Sequence, residues 1–131
     1  MNDIIKTKSG TAKGSCVISK DVIATIACSA ALEVDGVSSM AQRPTNLREL
    51  MNSAAEKSVK VTLDGDATAL DVYVNLFSGR RIPDVCAQVQ QNVKAELQSM
   101  TGKPITRVNV HVVGVTFEES DGDGDAADGE E

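Results

Sequence analysis

Residues 59–76 alternate between apolar and polar side chains on both sides of a short polar turn. Apolar residues recur at every second position of Val59–Leu63 and again of Leu70–Leu76. A repeat of two residues is typical of a β-strand that buries only one of its faces. Asp64-Gly65-Asp66, between the two runs, has the residue types that tight hairpin turns favour. The segment therefore predicts a hairpin with one apolar face, which a second layer of structure must cover.

Two amphipathic segments predict the helices of that second layer. After Pro83, apolar residues recur at helical spacing as far as Gly102 and Pro104, which predicts a helix of about 18 residues. Ser19 is a good N-cap for an earlier helix, from about Lys20 to Val34. The apolar stripe of the later helix is Val85, Val89, Val93, Leu97 and Met100, and the earlier helix has Val22, Ile26, Ala30 and Val34 beside Ile23, Ala27 and Ala31.

The remaining segments predict short strands, one short helix and a long last strand. Ser15–Ser19 and Val37–Met40 have the residues of short strands, and Leu47–Ala55 has one apolar helical face. Residues 105–117 alternate as a final strand does. The order of the principal elements is β-α-β-β-α-β. We predict an α+β fold, a two-layer sandwich in which two long helices pack on one face of a mixed or antiparallel sheet.

The net charge of −6 conceals an uneven distribution of acidic residues. Residues 118–131 carry eight of the 19 acids and no Lys or Arg, so the first 117 residues hold 11 acids and 13 bases. A segment so polar and charged has no apolar surface to bury, and we predict a disordered acidic tail at residues 119–131. Residues 1–11 lack periodicity and are predicted to form a flexible arm. Residues 12–118 are then a single α+β domain.

Composition disfavours several classes of function. The chain has one Tyr, two Phe and no Trp, so it has few aromatic side chains on which bases could stack. Its first 117 residues are nearly neutral, so no strongly basic surface favours nucleic acid as a partner. No apolar run is long enough to insert into a membrane, and the first residues lack a signal peptide, so we expect a cytoplasmic protein. Cys16, Cys28 and Cys86 are expected to remain reduced thiols.

No cofactor, metal site or catalytic residue is predicted. His111 is the only histidine, and a zinc site needs several convergent His or Cys ligands. For His111, an acid–base role with Asp71 is the alternative to a surface role. Asp121–Asp125 has part of the spacing of a calcium loop, but Ala126 stands where that loop needs glycine and the closing glutamate is missing.

The polar side of the predicted sheet is the candidate interaction surface. If both helices cover the apolar face, alternate residues of three strands remain on the open face. Their mixed polar and aromatic character is typical of a protein contact, and a plain solvated face is the alternative. An exposed sheet edge is a second candidate for self-association. The candidate residues on the open face are Lys60, Asp71, Tyr73, Asn75, Arg107, Asn109 and His111.

Several stretches, in their order and spacing over about residues 14–118, resemble one bacterial family. The chain is similar to the alkaline-shock-protein family of Gram-positive bacteria, also called envelope stress response proteins. Residues 38–56 depart from the family, in which a glycine-rich loop is common at this place. The stretches that carry the resemblance are Gly14–Ser19, Ala24–Val37, Val59–Val61, Ile82–Val85, Val89–Lys94, Met100–Gly102 and Val108–Val115.

The resemblance implies a small cytoplasmic protein linked to cell-envelope homeostasis, and it brings no catalytic residues with it. Some members lie near the membrane because a membrane-anchored partner recruits them, and others are connected to fatty-acid metabolism. We therefore expect a non-enzymatic adaptor or scaffold in envelope stress that acts through protein–protein contacts, homo-oligomers included. The alternatives are a regulatory binding protein for an enzyme of fatty-acid synthesis and, less favoured, an RNA-binding module.

Overall fold

The computed structural model describes residues 4–8, 15–44, 53–65 and 67–117. Within this part, two helices and a sheet form the α+β sandwich, and the predicted fold class is confirmed. The principal elements follow the predicted β-α-β-β-α-β order, with two short strands in addition. The elements are β1 (Ile4–Lys8), β2 (Ser15–Ser19), α1 (Lys20–Leu32), β3 (Val37–Met40), β4 (Val59–Asp64), β5 (Ala67–Phe77), α2 (Ile82–Thr101) and β6 (Ile105–Thr116).

Strand β5 is the centre of the main sheet. Strand β6 runs parallel to it and pairs with residues 68–77, almost its full length. The antiparallel strands β4 and β3 pair with residues 67–72 and 74–76 respectively, so they share the other edge of β5 in succession. Parallel neighbours need a crossover, and α2 supplies it between β5 and β6. The sheet is therefore mixed.

Both helices pack on one face of this sheet and on each other. The side chain of Ser19 accepts a hydrogen bond from the Val22 amide at 3.2 Å, as expected of the N-cap of α1. The buried residues of α1 are Ile23 and four alanines, whose small side chains allow close helix packing. Asn92 of α2 donates its Nδ2–H to the Ala30 carbonyl at 2.6 Å, which ties the two helices together. Gly102 ends α2 in the left-handed conformation, with φ 73°.

The core lies between the helices and the inner face of β5. Leu70, Val72 and Val74 are completely buried there, as are Val89 and Leu97 of α2. Each such side chain contributes roughly 1.5–3 kcal/mol through its removal from water. Two members of the predicted helical stripes are exceptions, because Val22 is 46% exposed and Met100 60% exposed. The next residue along the helix is buried in both cases, Ile23 after Val22 and Thr101 after Met100, so these two side chains lie on the solvent side of their helices.

One predicted segment differs from the structure, and two others lie wholly or largely outside the described residues. The sequence predicts a flexible arm at residues 1–11, but Ile4–Lys8 forms β1 and pairs antiparallel with β2. The prediction was wrong because Ile4–Lys8 has no alternation of apolar and polar residues, whereas the backbone pairing of a β-ladder does not require one. The predicted helix at Leu47–Ala55 falls largely outside the described residues, and residues 54–58 form turns. The predicted disordered tail also lies outside them.

Candidate functional site

All seven candidate residues lie on the open face of the sheet, opposite the helices. Alternate residues of β5 are buried and half-buried, so the parity of the strand sets this face apart from the core. The strand register places these residues in rows across the sheet. One row consists of Lys60, Asp71 and Asn109, and in the next row Tyr73 pairs with His111. Asn75 and Arg107 lie at opposite ends of the cluster, the former beside Gly114 and the latter beside Ala69.

Asp71 is the centre of the hydrogen-bond network on this face. Its Oδ1 lies 3.0 Å from Nε2 of His111 and accepts a second hydrogen bond, also 3.0 Å, from Nδ2 of Asn109. Burial raises the pKa of the Asp71 carboxyl, but the hydrogen bonds from His111 and Asn109 and the charges of His111 and Lys60 outweigh it, so the pKa is lowered. Asp71 is therefore ionised at neutral pH, and an ionised carboxylate only accepts, so Nε2 of His111 carries the proton.

The Tyr73 and His111 rings stack on each other beside this network. Their centroids are 4.3 Å apart and their planes differ by 8°. The two residues are direct neighbours in the β5–β6 register, so the backbone pairing itself brings the rings together. The imidazole is thus held both by the Asp71 carboxylate and by the phenol ring. Such a side chain loses little freedom when a partner binds.

Gly114 is a member of the site that the sequence analysis did not single out. It lies beside Asn75, and a Cβ at this position would be 2.9 Å from the Asn75 Oδ1. The Asn75 amide in turn donates to the Ser39 hydroxyl of β3 at 3.0 Å. A glycine inside an alternating strand often marks such a close approach, so residues 105–117 did contain the signal. The register against β5 also shifts here, with Val113 as the extra residue.

The open face is accessible to solvent around the Asp71–His111 pair. The Asp71–His111 pair lies on an open sheet face, with His111 itself exposed. Among the described residues, no group of three or more His, Cys, Asp or Glu side chains is placed to hold a metal ion. In the same part of the chain, no helix is both long and apolar enough to cross a membrane.

The three cysteines are free and lie apart from this face. Cys16 is exposed, and Cys28 and Cys86 are half-buried in the two helices. Burial raises the pKa of the Cys28 thiol to about 11 and also raises that of Cys86. Thiols with a raised pKa stay protonated at neutral pH and are poor nucleophiles.

Comparison with known proteins places the chain in a family. The model of the alkaline shock protein 23 family, described by a cell envelope-related function, matches residues 8–117. This chain belongs to the alkaline-shock-protein family. The resemblance carried by its sequence stretches is thereby confirmed, and an envelope-related function is shown at the level of the family.

Relatives of this alkaline-shock-family chain occur in other bacteria. YqhY of Bacillus subtilis strain 168 is 39% identical over 107 residues, which cover 80% of this chain and 79% of YqhY. Spy1535 of Streptococcus pyogenes serotype M6 is 34% identical, covering 82% and 83% of the two chains. Among solved structures, MamM CTD M250L matches with a TM-score of 0.47 and 12% identity, over 72% of this chain and 96% of that one. The latter similarity is too low to carry an argument.

Proposed function

We propose that this alkaline-shock-family protein is a non-enzymatic cytoplasmic adaptor in cell-envelope stress, and that its open sheet face docks a protein partner. A membrane-anchored partner would hold the adaptor near the membrane. The observation that carries the proposal is the ordered network of Asp71, Asn109, His111 and Tyr73 on that face. The envelope-related function of the family supports the cellular role.

The chemistry of the face favours a protein as the ligand. Aromatic and hydrogen-bonding groups that are already fixed in position lower the entropic cost of association. Lys60 and Arg107 are both exposed and flank the network on β4 and β6. Their charges favour a partner with acidic side chains opposite them.

Capture of partners from cells tests the proposal. Tyr73→Ala removes the phenol ring of the stack, and Lys60→Glu reverses a charge at the rim of the same face. We expect both changes to reduce the recovery of crosslinked partners, as identified by mass spectrometry. Lys94→Glu is the matched control, because Lys94 is also an exposed lysine and lies on α2, on the opposite side of the sheet.

The identity of the captured proteins separates the adaptor from its alternatives. Envelope proteins that depend on Tyr73 and Lys60 support the adaptor. Capture of a fatty-acid biosynthetic enzyme through the same residues favours the regulatory alternative. Recovery that is unchanged in both variants, with both still folded, contradicts a role for the open face.

A further inference from the structure

Strand β6 lies at one end of the main sheet, so one of its two edges pairs with no described strand. Its other edge pairs with β5 over nearly its whole length. Val113 and Val115 of this strand are 58% and 45% exposed, and Val110 and Val112 are half-buried. A strand of 12 residues that offers apolar side chains and unpaired backbone groups is a template for association with another chain. Native proteins protect such edges.

The backbone pairing of β5 decides which groups of β6 point to this outer edge. The Tyr73 amide donates to the Ser58 carbonyl and the Tyr73 carbonyl accepts from the Ala41 amide, so odd-numbered residues of β5 bond on the side of β4 and β3. Even-numbered residues, such as Leu70, therefore bond β6. In a parallel ladder, Leu70 bonds the residues before and after its direct neighbour, Val108. Val108 thus turns its own N–H and C=O groups outward.

Two glutamines of α2 already bond groups on the outer edge. Nε2 of Gln90 donates to the Val108 carbonyl at 3.1 Å. Ile105 is the direct neighbour of Thr68, an even-numbered residue, so it also faces outward, and its amide donates to Oε1 of Gln98 at 3.2 Å. The two glutamines lie about two turns apart on the same helix. Helix α2 thus supplies a donor and an acceptor at places where an added strand would supply its own.

The shape of β6 limits the outer edge further. Thr106 and Val113 are extra residues in the pairing with β5, and each forms a bulge in β6. Bulges disturb the regular repeat of an edge strand and oppose further pairing. Residues 107–112 form the regular stretch between the two bulges, and the outward carbonyl of Val108 in this stretch is bonded to Gln90. A new strand would therefore find a short and partly occupied edge.

We propose that Gln90 and Gln98 protect the outer edge of β6 from strand addition by a second copy of this chain. Loss of both amides frees the Val108 carbonyl and the Ile105 amide, and the exposed valines of the strand then favour pairing. For β6, this closes the exposed sheet edge that the sequence offers as a second candidate for self-association.

The inference goes beyond the proposed docking role, because it concerns the edge of β6 and not the open face. Tyr73→Ala, which is designed to impair partner capture, should leave self-association unchanged. Failure of one proposal is thus distinguishable from failure of the other.

A variant that carries both Gln90→Met and Gln98→Met, the edge variant, tests this protection. Methionine is unbranched and similar in length to glutamine, but it has no amide group. Both glutamines are exposed, so their replacement leaves the core intact. The control variant carries Gln88→Met and Gln91→Met, at two exposed glutamines of α2 that line the groove beside Glu33 of α1. The two variants have the same amino-acid composition.

Sedimentation equilibrium of the full chain over a concentration series measures self-association, and thermal melting confirms that each variant is folded. We expect the edge variant to self-associate at least about tenfold more tightly than the wild type, and the control variant to behave as the wild type. Adding Val113→Lys to the edge variant should restore the wild-type behaviour, because a charge on an edge strand opposes pairing.

Three results would overturn the inference. The edge variant could associate no more tightly than the wild type, the control variant could associate as tightly as the edge variant, or Val113→Lys could leave the association unchanged. If the edge variant does not fold, the single variants Gln90→Met and Gln98→Met give the same comparison, each against Gln88→Met.

Discussion

Nε2 of His111 lies 3.0 Å from Oδ1 of Asp71, and the two residues come from neighbouring parallel strands 40 positions apart in the chain. The contact joins β6 to β5 on the open face, where Tyr73 stacks on the same imidazole. A carboxylate held in this way has a lowered pKa. The fixed arrangement of the side chains on the open face therefore depends on whether the Asp71 carboxyl is ionised.

The first prediction is that Asp71 contributes a stability that is lost in acid. Because its folded pKa lies below the ordinary value of 3.8, the contribution is full above that value and disappears as the pH falls through the folded pKa. Asp71→Asn should thus lower the free energy of unfolding by about 1 kcal/mol at neutral pH, with a smaller deficit at pH values below 3.8. Urea unfolding across this pH range measures it. If Asp71→Asn lowers the free energy of unfolding equally at all pH values, the result contradicts the pairing of Asp71 with His111. Asp64→Asn is the control.

The second prediction concerns the space that Gly114 leaves for Asn75. In Gly114→Ala the new methyl group displaces the Asn75 amide, which then loses its hydrogen bond to Ser39. We expect a loss of about 1 kcal/mol in the free energy of unfolding. In an Asn75→Ala background the same substitution should cost much less. Denaturant unfolding of the wild type, the two single variants and the double variant completes this cycle. Strictly additive effects would argue against the contact between position 114 and Asn75.

The third prediction compares two residues of the same helical stripe. Leu97 is completely buried, whereas Met100 is 60% exposed. Leu97→Ala should lower the free energy of unfolding by about 2–5 kcal/mol, because it leaves a cavity under α2. Met100→Ala should change it by less than about 0.5 kcal/mol. Similar losses for the two variants would show that the end of α2 is packed more tightly than described.

Periodicity predicted the local structure well, and it predicted long-range pairing poorly. The alternation in residues 59–76 assigned Asp71 and Tyr73 to the polar face correctly, because side-chain parity is a local property of a strand. The sequence analysis considered Asp71 as a partner of His111, but it could not decide that the two are neighbours, because this needs the order of the strands and hence the path of α2 from β5 to β6. Strand β1 was missed because Ile4–Lys8 lacks the alternation of apolar and polar residues from which the other strands were predicted.

The fourth prediction concerns the relative reactivity of the cysteines. The pKa of Cys28 is raised to about 11 by burial, so almost none of this thiol is ionised at neutral pH. Alkylation of the native protein with iodoacetamide, followed by mass spectrometry, should modify the exposed Cys16 first and Cys28 much more slowly. Unfolding in denaturant should remove the difference. Rapid native labelling of Cys28 would contradict its described burial.

Site-specific photocrosslinking in living cells tests the docking role of the open face most directly. The crosslinking amino acid p-benzoylphenylalanine replaces Lys60 on the open face in one variant and Lys94 on the exposed side of α2 in the other. Both positions are exposed, so the probe disturbs the core in neither. The account predicts a crosslinked partner from position 60 and none, or far less of it, from position 94. Equal crosslinking from both positions, or a partner captured from position 94 alone, would contradict it.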